Sequence, residues 1–166
     1  MKYFNTNKLE ELNINKENVC IILDFDKTIT TGDSSDSWDA SGKMLGKKYL
    51  NEVQNFYNFY APIEENYDIS IKQKEAYMKE WYEKCIDLFY KYDLTVDKLN
   101  ESIKISNLLL RGEIKEFFNK AYKNNIPVII ISAGIGNVIE QFLRNKECYF
   151  DNIHIISNFI EFDESR

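Results

Sequence analysis

The sequence predicts an α/β protein built on a parallel sheet, with one inserted helical segment. Two short apolar runs carry this prediction, residues 19–23 before Asp24 and residues 128–131 before Ser132. Apolar runs of this length are typical of strands buried on both faces of a parallel sheet. About a hundred mostly helical residues separate them, and consecutive parallel strands require such a crossover. A chain of 166 residues can bury one core, so one domain with an insertion is expected.

The first half of the chain alternates polar loops with helical periodicity. Residues 5–15 predict a short helix before the first strand, and residues 31–42 are polar and predict a loop with several candidate helix N-caps. Apolar residues then recur three and four positions apart, which predicts two amphipathic helices. The first is expected to end before Pro62, and the second to begin at about Ser70.

The second half predicts two helices and two further strands. One helix is expected after Thr95 and another after Gly112, where apolar residues again follow helical spacing. The second strand is expected to end at Ser132, and the small residues 133–136 are expected to open the next helix. Residues 153–157 predict a third strand.

Composition excludes several classes of function. The net charge of −6, with no stripe rich in Lys and Arg, argues against a nucleic-acid partner. No apolar run approaches the ~18 residues that a membrane span needs, and the first residues lack an apolar signal region, so we expect no membrane association and a cytoplasmic location. Cys20, Cys85 and Cys148 are widely spaced, which favours buried reduced thiols. The sequence has a single histidine, His154, which excludes two-histidine metal sites and argues against most Ser-His triads.

Two carboxylates and a hydroxyl follow the first strand, in the order Asp24, Asp26 and Thr28. Strand alternation places the two carboxylates on one side, roughly 6.6 Å apart along the chain, at the strand ends where α/β sheets bind ligands. Phosphoryl transfer explains them: Asp24 attacks phosphorus, and Asp26 protonates the leaving oxygen and later deprotonates water. Because the transferred group is anionic, we expect Mg²⁺ as cofactor, held by Asp24 and Asp26.

The end of the second strand supplies the matching phosphate contacts. The Ser132 hydroxyl and the backbone amides of Ala133 and Gly134 would hold the phosphate oxygens. Taken alone, this S-A-G sequence is equally explained by a helix start that needs glycine for packing. A calcium-binding loop beginning at Asp24 is excluded, because Ile29 stands where its glycine should be and Ser35 where its final glutamate should be.

The motifs D-F-D-K-T and I-I-I-S-A-G resemble the first two motifs of haloacid dehalogenase superfamily phosphatases. There, D-x-D-x-T supplies the nucleophile and the acid/base, and the second motif supplies a phosphate-binding Ser or Thr. Y-A-P-I-E, Y-M-K-E-W-Y, N-K-A-Y-K-N-N-I-P-V and I-I-S-N-F-I-E-F-D-E are similar to the cytosolic 5′-nucleotidase III family of pyrimidine or 7-methylguanosine nucleotidases. The similarity covers most of the chain from Val19 onward, and it is poor from Thr31 to about Tyr60. It implies nucleoside monophosphate substrates, an aspartyl-phosphate intermediate, and Thr28 among the phosphate-binding residues.

The resemblance also implies a division of the chain, because in that family the helical insertion between the two motifs is a cap over the active site. It assigns residues 31–110 to the cap, and residues 1–30 and 111–166 to a Rossmann-like core. Glu64 matches the cap glutamate that contacts the base, and Trp81 matches an aromatic residue that stacks on it. From the residues alone, Trp81 is explained as well by core packing, and Glu64 by a solvated or helix-capping carboxylate.

The sequence departs from the family pattern after the second motif. The third-motif lysine and the fourth-motif aspartate pair have no counterpart, since the sole lysine after Ser132 is Lys146 and the chain ends at Arg166. We therefore expect residues 1–166 to be an N-terminal portion that is nearly inactive alone. One edge of the first strand should then be exposed, and self-association or a missing C-terminal segment is expected along it.

The main hypothesis is a Mg²⁺-dependent phosphomonoesterase acting on nucleoside monophosphates. Two alternatives stay open. One is a phosphatase of the same superfamily that acts on another small phosphorylated metabolite. The other is an inactive domain that binds phosphate or a partner without turnover.

Overall fold

The computed structural model describes residues 19–162, so the helix predicted over residues 5–15 lies outside the described part. The described residues divide into two compact units. Residues 19–37 and Leu108–Ile160 form one, which we call the sheet unit, and Trp38–Asn107 with residues 161–162 form the other, which we call the helical unit.

In chain order, the regular elements are three strands and six helices within the described residues: β1 (Ile21–Leu23), α1 (Ser37–Ser41), α2 (Lys47–Glu65), α3 (Ile71–Lys91), α4 (Val96–Ile105), α5 (Ile114–Lys123), β2 (Val128–Ile135), α6 (Gly136–Asn145) and β3 (Ile153–Asn158). An irregular helical turn, Phe25–Ile29, follows β1, and a short 3₁₀ turn, Lys43–Leu45, follows α1.

The sheet unit contains a parallel sheet with the strand order β1-β2-β3. Leu23 of β1 lies beside Ile130 of β2, which lies beside Ile155 of β3. Because parallel neighbours end at the same edge of a sheet, the residues after Leu23 and after Ile131 meet at one edge. The predicted α/β class with a parallel sheet is confirmed.

The prediction that the first strand is buried on both faces is wrong for the described residues. Helix α6 packs against β2 and β3 and covers one face, where Val128 and Ile130 are fully buried. On the other face, Ile22 is 58% exposed and Ile156 is also 58% exposed. Cys20, just before β1, is exposed as well, so the expectation of a buried thiol fails there. An apolar run predicts that both faces can be buried, but a second covering layer must be present to bury them.

The second strand runs three residues beyond its predicted end at Ser132. It continues to Ile135, and α6 begins at Gly136 rather than at residue 133. The pairing of β2 with β3 is regular up to Ile131 and shifts before Ile135, so residues 132–134 form an irregular strand end. Such bulges re-aim side chains and are frequent beside active sites.

The helical unit shows how local sequence signals set the helix bounds. Ser70 caps α3 by a reciprocal pair of bonds with Gln73, and Thr95 caps α4, in agreement with the predicted starts. The predicted end before Pro62 is wrong, because α2 continues to Glu65. Pro62 cannot donate to the carbonyl four residues earlier, so α2 continues past this position without that one bond.

Both tryptophans of the chain lie in the helical unit. Trp81 of α3 stacks on Tyr60 of α2, with ring centroids 5.5 Å apart and an interplanar angle of 11°. Trp38 stacks on Phe89 at 6.2 Å and 7°. Aromatic pairs of this kind contribute about 0.5 to 1.5 kcal/mol beyond their buried area. Among the described helices, none is both long and apolar enough to cross a membrane.

Candidate active site

The residues after β1 fold into a turn whose backbone reverses at Lys27. Lys27 adopts a left-handed conformation with φ of 63°, which is uncommon for a residue with a side chain. The fully buried Thr30 holds this turn, because its hydroxyl accepts from the Lys27 N–H at 2.8 Å and its own N–H donates to the Phe25 carbonyl at 3.1 Å. Phe25 and Ile29 are fully buried beneath the turn. The polar residues between them are thereby held at the carboxyl edge of the sheet.

Asp24 and Thr28 are joined within this turn. The Thr28 hydroxyl donates to Asp24 Oδ2 at 3.2 Å, and both residues are exposed. The turn therefore brings the first and last polar residues of D-F-D-K-T together. An exposed carboxylate with a hydroxyl beside it is accessible to a ligand in solution.

Asp26 lies in a different environment, because it is partly buried. The backbone N–H of Ser37 donates to Asp26 Oδ1 at 3.0 Å, and the Ser37 hydroxyl donates to Oδ2 at 3.0 Å. Burial raises the pKa of Asp26, and the negative charges of Asp36 and Asp24 raise it further, while the two bonds from Ser37 oppose these effects. A carboxyl with a raised pKa can carry a proton, as a general acid must.

Ser132, at the irregular end of β2, is buried, and its hydroxyl accepts from the Gly134 N–H at 3.1 Å. Side chains of β3 take the neighbouring carbonyls: Ser157 donates to the Gly134 carbonyl at 2.8 Å, and Asn158 donates to the Ala133 carbonyl at 2.9 Å. These side-chain bonds replace the regular strand pairing there. The loop is thus held by contacts with a neighbouring strand.

One hydroxyl links the two strand ends. The Ile135 N–H donates to Ser37 Oγ at 3.3 Å, and the same oxygen bonds Asp26. The carboxylate turn and the residues after Ile131 therefore share one bonded network. Of the predicted site residues, Asp24 and Thr28 are bonded directly, and Asp26 reaches the end of β2 through Ser37.

Glu64 and Trp81, the predicted base contacts, lie in the helical unit. Glu64 is in the last turn of α2, where its backbone carbonyl accepts from the Lys74 ammonium at 2.5 Å. Trp81 is half-buried, with one face on Tyr60 and its edge near Tyr57 at 6.3 Å between ring centroids. These contacts explain Trp81 as a packing residue and do not test its predicted part in base recognition.

Sequence reasoning missed four residues that organise the site: Ser37, Arg111, Ser157 and Asn158. The guanidinium of Arg111 donates to the carbonyls of Thr28 at 2.8 Å, Lys27 at 2.6 Å and Thr30 at 3.2 Å. No local pattern marks it, because its partners lie more than 80 positions earlier. Ser37 carried a weak signal as one of several candidate N-caps in the polar loop.

The donors available for a metal at this edge are oxygens. Asp24 and Asp26 supply carboxylates, and no group of three or more His, Cys, Asp or Glu side chains that could hold a metal occurs within residues 19–162. Lys146 lies at the far end of α6, about 15 Å along the helix axis from its first residue, with its ammonium over the Phe142 ring. Lys146 therefore lies at the end of α6 that is remote from the sheet edge carrying Asp24 and Ser132.

Comparison with known proteins gives consistent results. The family model for pyrimidine 5′-nucleotidases (UMPH-1) matches residues 28–166. The 7-methylguanosine phosphate-specific 5′-nucleotidase of Homo sapiens is 32% identical over 151 residues, which cover 87% of this chain and 50% of the relative. A Xenopus laevis relative, 7-methylguanosine phosphate-specific 5′-nucleotidase A, is 30% identical over 157 residues, which cover 90% of this chain and 54% of the relative.

A solved structure agrees with these relatives. The crystal structure of cytosolic 5′-nucleotidase IIIB bound to cytidine superposes with a TM-score of 0.75 and 28% sequence identity, covering 90% of this chain and 53% of that one. The chain therefore spans about half the length of the curated relatives and of the solved structure that it matches.

Proposed function

The chain belongs to the UMPH-1 family of pyrimidine 5′-nucleotidases, and from that premise we propose that it acts as a phosphomonoesterase on nucleoside 5′-monophosphates. The observation that carries this proposal is the network through Ser37, which joins the Asp26 carboxylate to the strand end that follows Ile131. A nucleophile, an acid and a phosphate-binding segment at one sheet edge are what phosphoryl transfer requires.

Asp24 is the proposed nucleophile. Its exposed carboxylate attacks phosphorus and forms an aspartyl-phosphate, and the Thr28 hydroxyl at 3.2 Å supports its orientation. Asp26 is the proposed acid/base, which protonates the departing 5′-oxygen and then removes a proton from the attacking water. The geometry supports this assignment, because Asp26 lies in the same turn as Asp24 and Ser37 holds both oxygens of its carboxylate in place.

Ser132 and the amides of Ala133 and Gly134 are the proposed phosphate contacts. The Gly134 N–H donates to the Ser132 hydroxyl at 3.1 Å. A phosphate oxygen would compete for that N–H, so binding exchanges one hydrogen bond for a charge-assisted one. The carbonyls of Ala133 and Gly134 are held by β3, which keeps this segment in place while its donors change partner.

Mg²⁺ is the proposed cofactor, with Asp24 and Asp26 as its protein ligands. The all-oxygen donor set fits, because Mg²⁺ is commonly held by one or two carboxylates and completes its shell with water and substrate phosphate. When bound, it neutralises the charge on the phosphoryl group that would otherwise repel the Asp24 carboxylate.

Base recognition is proposed for the helical unit, within residues 31–110, which would serve as a cap. Glu64 would accept hydrogen bonds from the base, and Trp81 would offer the ring face that Tyr60 does not cover. Two relatives are named for 7-methylguanosine phosphate and one structure is described with cytidine. Pyrimidine and 7-methylguanosine monophosphates are therefore the substrates to compare first.

The test is phosphate release by the purified chain, measured at several protein concentrations and incubation times. Cytidine, uridine and 7-methylguanosine monophosphates are compared with phosphoserine and a sugar phosphate, with and without Mg²⁺. We expect Mg²⁺-dependent release from nucleotides, abolished by Asp24→Asn and lowered ~10² to 10⁴-fold by Asp26→Asn.

Three outcomes would separate the alternatives. Preferred hydrolysis of phosphoserine or the sugar phosphate would support a phosphatase of another metabolite. Nucleotide binding without release, and without covalent trapping of Asp24 by beryllium fluoride, would support a binding domain. Release that survives Asp24→Asn unchanged would remove the proposed mechanism.

Self-association along β1 and a cytoplasmic location complete the proposal. Among the described strands β1 lies at one end of the order β1-β2-β3, so its outer backbone edge supports pairing with another strand. Light scattering of the purified chain should show a dimer or larger species, and a concentration-independent monomer would argue against it.

The cytoplasmic location is supported by relatives named as cytosolic, and fractionation of cells that produce the protein would test it.

A further inference from the structure

Ser37 makes an unusually complete set of contacts for a serine. It is fully buried, its N–H and hydroxyl donate to the two oxygens of Asp26, and its oxygen accepts from the Ile135 N–H. A hydroxyl has one proton to donate and two lone pairs to accept with. The Ile135 N–H takes one lone pair, which directs the hydroxyl proton towards Asp26.

The space around this hydroxyl is closed on the side of the β2 end. A Cβ atom added to Gly134 would lie 1.9 Å from Ser37 Oγ, so the hydroxyl occupies the space that a side chain would fill there. The Ser37 side chain therefore cannot rotate towards Gly134. A larger residue at position 134 would displace the Ser37 hydroxyl. Its place is set by both strand ends.

The paired bonds have a consequence for Asp26. The terminal torsion of an aspartate is broad when the carboxylate is unconstrained. Two donors from one residue, at 3.0 Å to each oxygen, select one orientation of the carboxylate plane. Proton transfer requires that the acid lie within hydrogen-bond reach of the departing oxygen, so this orientation affects the reaction directly.

We propose that Ser37 is a positioning residue for proton transfer by Asp26. Its bonds fix the orientation of the Asp26 carboxylate relative to the segment after Ile131. The proposal rests on the proposed function and adds to it a residue outside the two family motifs. Ser37 touches neither the phosphoryl group nor the departing oxygen in this assignment and acts through Asp26.

The first test uses the leaving group. A nucleoside 5′-oxygen needs a proton as it departs, whereas p-nitrophenolate departs readily without one. Ser37→Ala should therefore lower kcat/KM for a nucleoside monophosphate by roughly 10- to 100-fold, a part of the full effect of proton transfer. This parameter is compared because it reports the step in which the leaving group departs, whereas the later hydrolysis of the aspartyl-phosphate is the same for both substrates. The loss for p-nitrophenyl phosphate should be much smaller. Equal losses on the two substrates would overturn the proposal.

Ser34→Ala is the matched control. Ser34 is also buried in the segment before α1, and its hydroxyl donates to the Ser35 carbonyl and accepts from the Leu109 N–H. Loss of this hydroxyl should affect both substrates alike. A leaving-group dependence equal to that of Ser37→Ala would assign the effect to the segment as a whole and overturn the proposal.

A second measurement does not depend on activity. Urea unfolding of Ser37→Ala, Asp26→Ala and the double variant gives a thermodynamic cycle. Each variant raises the equilibrium constant of unfolding by a certain factor. If the two residues are coupled, the factor for the double variant should be about tenfold smaller than the product of the factors for the two single variants. Multiplicative effects would overturn the pairing even in an active protein. Coupling in a chain whose phosphate release is unaffected by Asp24→Asn would support the pairing and refute the proposed function.

Discussion

Arg111 offers a test of how the carboxylate turn is held, because its guanidinium bonds three backbone carbonyls of that turn. A net hydrogen bond contributes about 0.5 to 1.5 kcal/mol. Since Arg111 is exposed, the low end of that range applies, and the three bonds together should contribute about 1.5 to 2 kcal/mol. Arg111→Ala should weaken the turn by this amount.

The assay is amide hydrogen exchange of a peptide that covers residues 24–31. Local opening should become roughly 10- to 30-fold more frequent in Arg111→Ala, since about 1.4 kcal/mol corresponds to a factor of ten. The exchange rate of Arg111→Lys should lie between those of Arg111→Ala and the native chain. An ammonium keeps the charge but lacks the planar guanidinium group that can bond several carbonyls at once. The Lys27 and Thr30 N–H groups are bonded within the turn and should report the change.

Arg144→Ala is the matched control, because Arg144 is also an exposed arginine of the sheet unit, paired with Glu140 on α6. A surface pair of this kind contributes about 0 to 1 kcal/mol, and its loss should leave exchange over residues 24–31 unchanged. If Arg111→Ala left the exchange rate over residues 24–31 unchanged, or if Arg144→Ala raised that rate equally, the idea that the Arg111 guanidinium holds the turn would be refuted.

Three further predictions concern single positions. Gly134→Ala should displace Ser37 and destabilise the protein by about 1 to 3 kcal/mol in urea unfolding, whereas Gly112→Ala, with open space around it, should change little; equal effects would contradict the packing argument. Ser70→Ala should lower the free energy of unfolding by about 1 kcal/mol through loss of the α3 cap, and an unchanged urea midpoint would count against the cap. Trp81→Ala should raise KM for a nucleotide more than for p-nitrophenyl phosphate, because stacking on a base is worth ~1 to 3 kcal/mol; parallel changes would leave Trp81 as a packing residue.

Sequence reasoning succeeded where the cause is local. Apolar runs that end in a polar residue predicted β1 and β2, and the parallel pairing of these strands brings the residues that follow them to one edge of the sheet, as expected. Ser70 followed by Gln73 marks the start of α3, because a capping box involves residues three positions apart. In each case the interacting groups are close in sequence, or the geometry follows from the type of sheet.

Sequence reasoning failed where the cause is distant. The exposed face at Ile22 depends on which layers cover the sheet, and an apolar run carries no information about that. The extension of β2 to Ile135 depends on Ser157 and Asn158, which bond the carbonyls of residues 133–134 from another strand. Ser37 and Arg111 act across long separations, so their roles appear once the chain is folded.

The placement of both tryptophans gives the chain a spectroscopic asymmetry. Trp38 and Trp81 are each stacked on an aromatic ring within the helical unit, so tryptophan emission excited at the red edge of absorption reports on that unit alone. The described part of the sheet unit contains no tryptophan and does not contribute to this emission. During one denaturation, emission therefore follows the helical unit, whereas far-ultraviolet circular dichroism sums over the helices and strands of both units. Coincident curves would indicate cooperative melting of the two units, and separated curves would show that they melt at different denaturant concentrations.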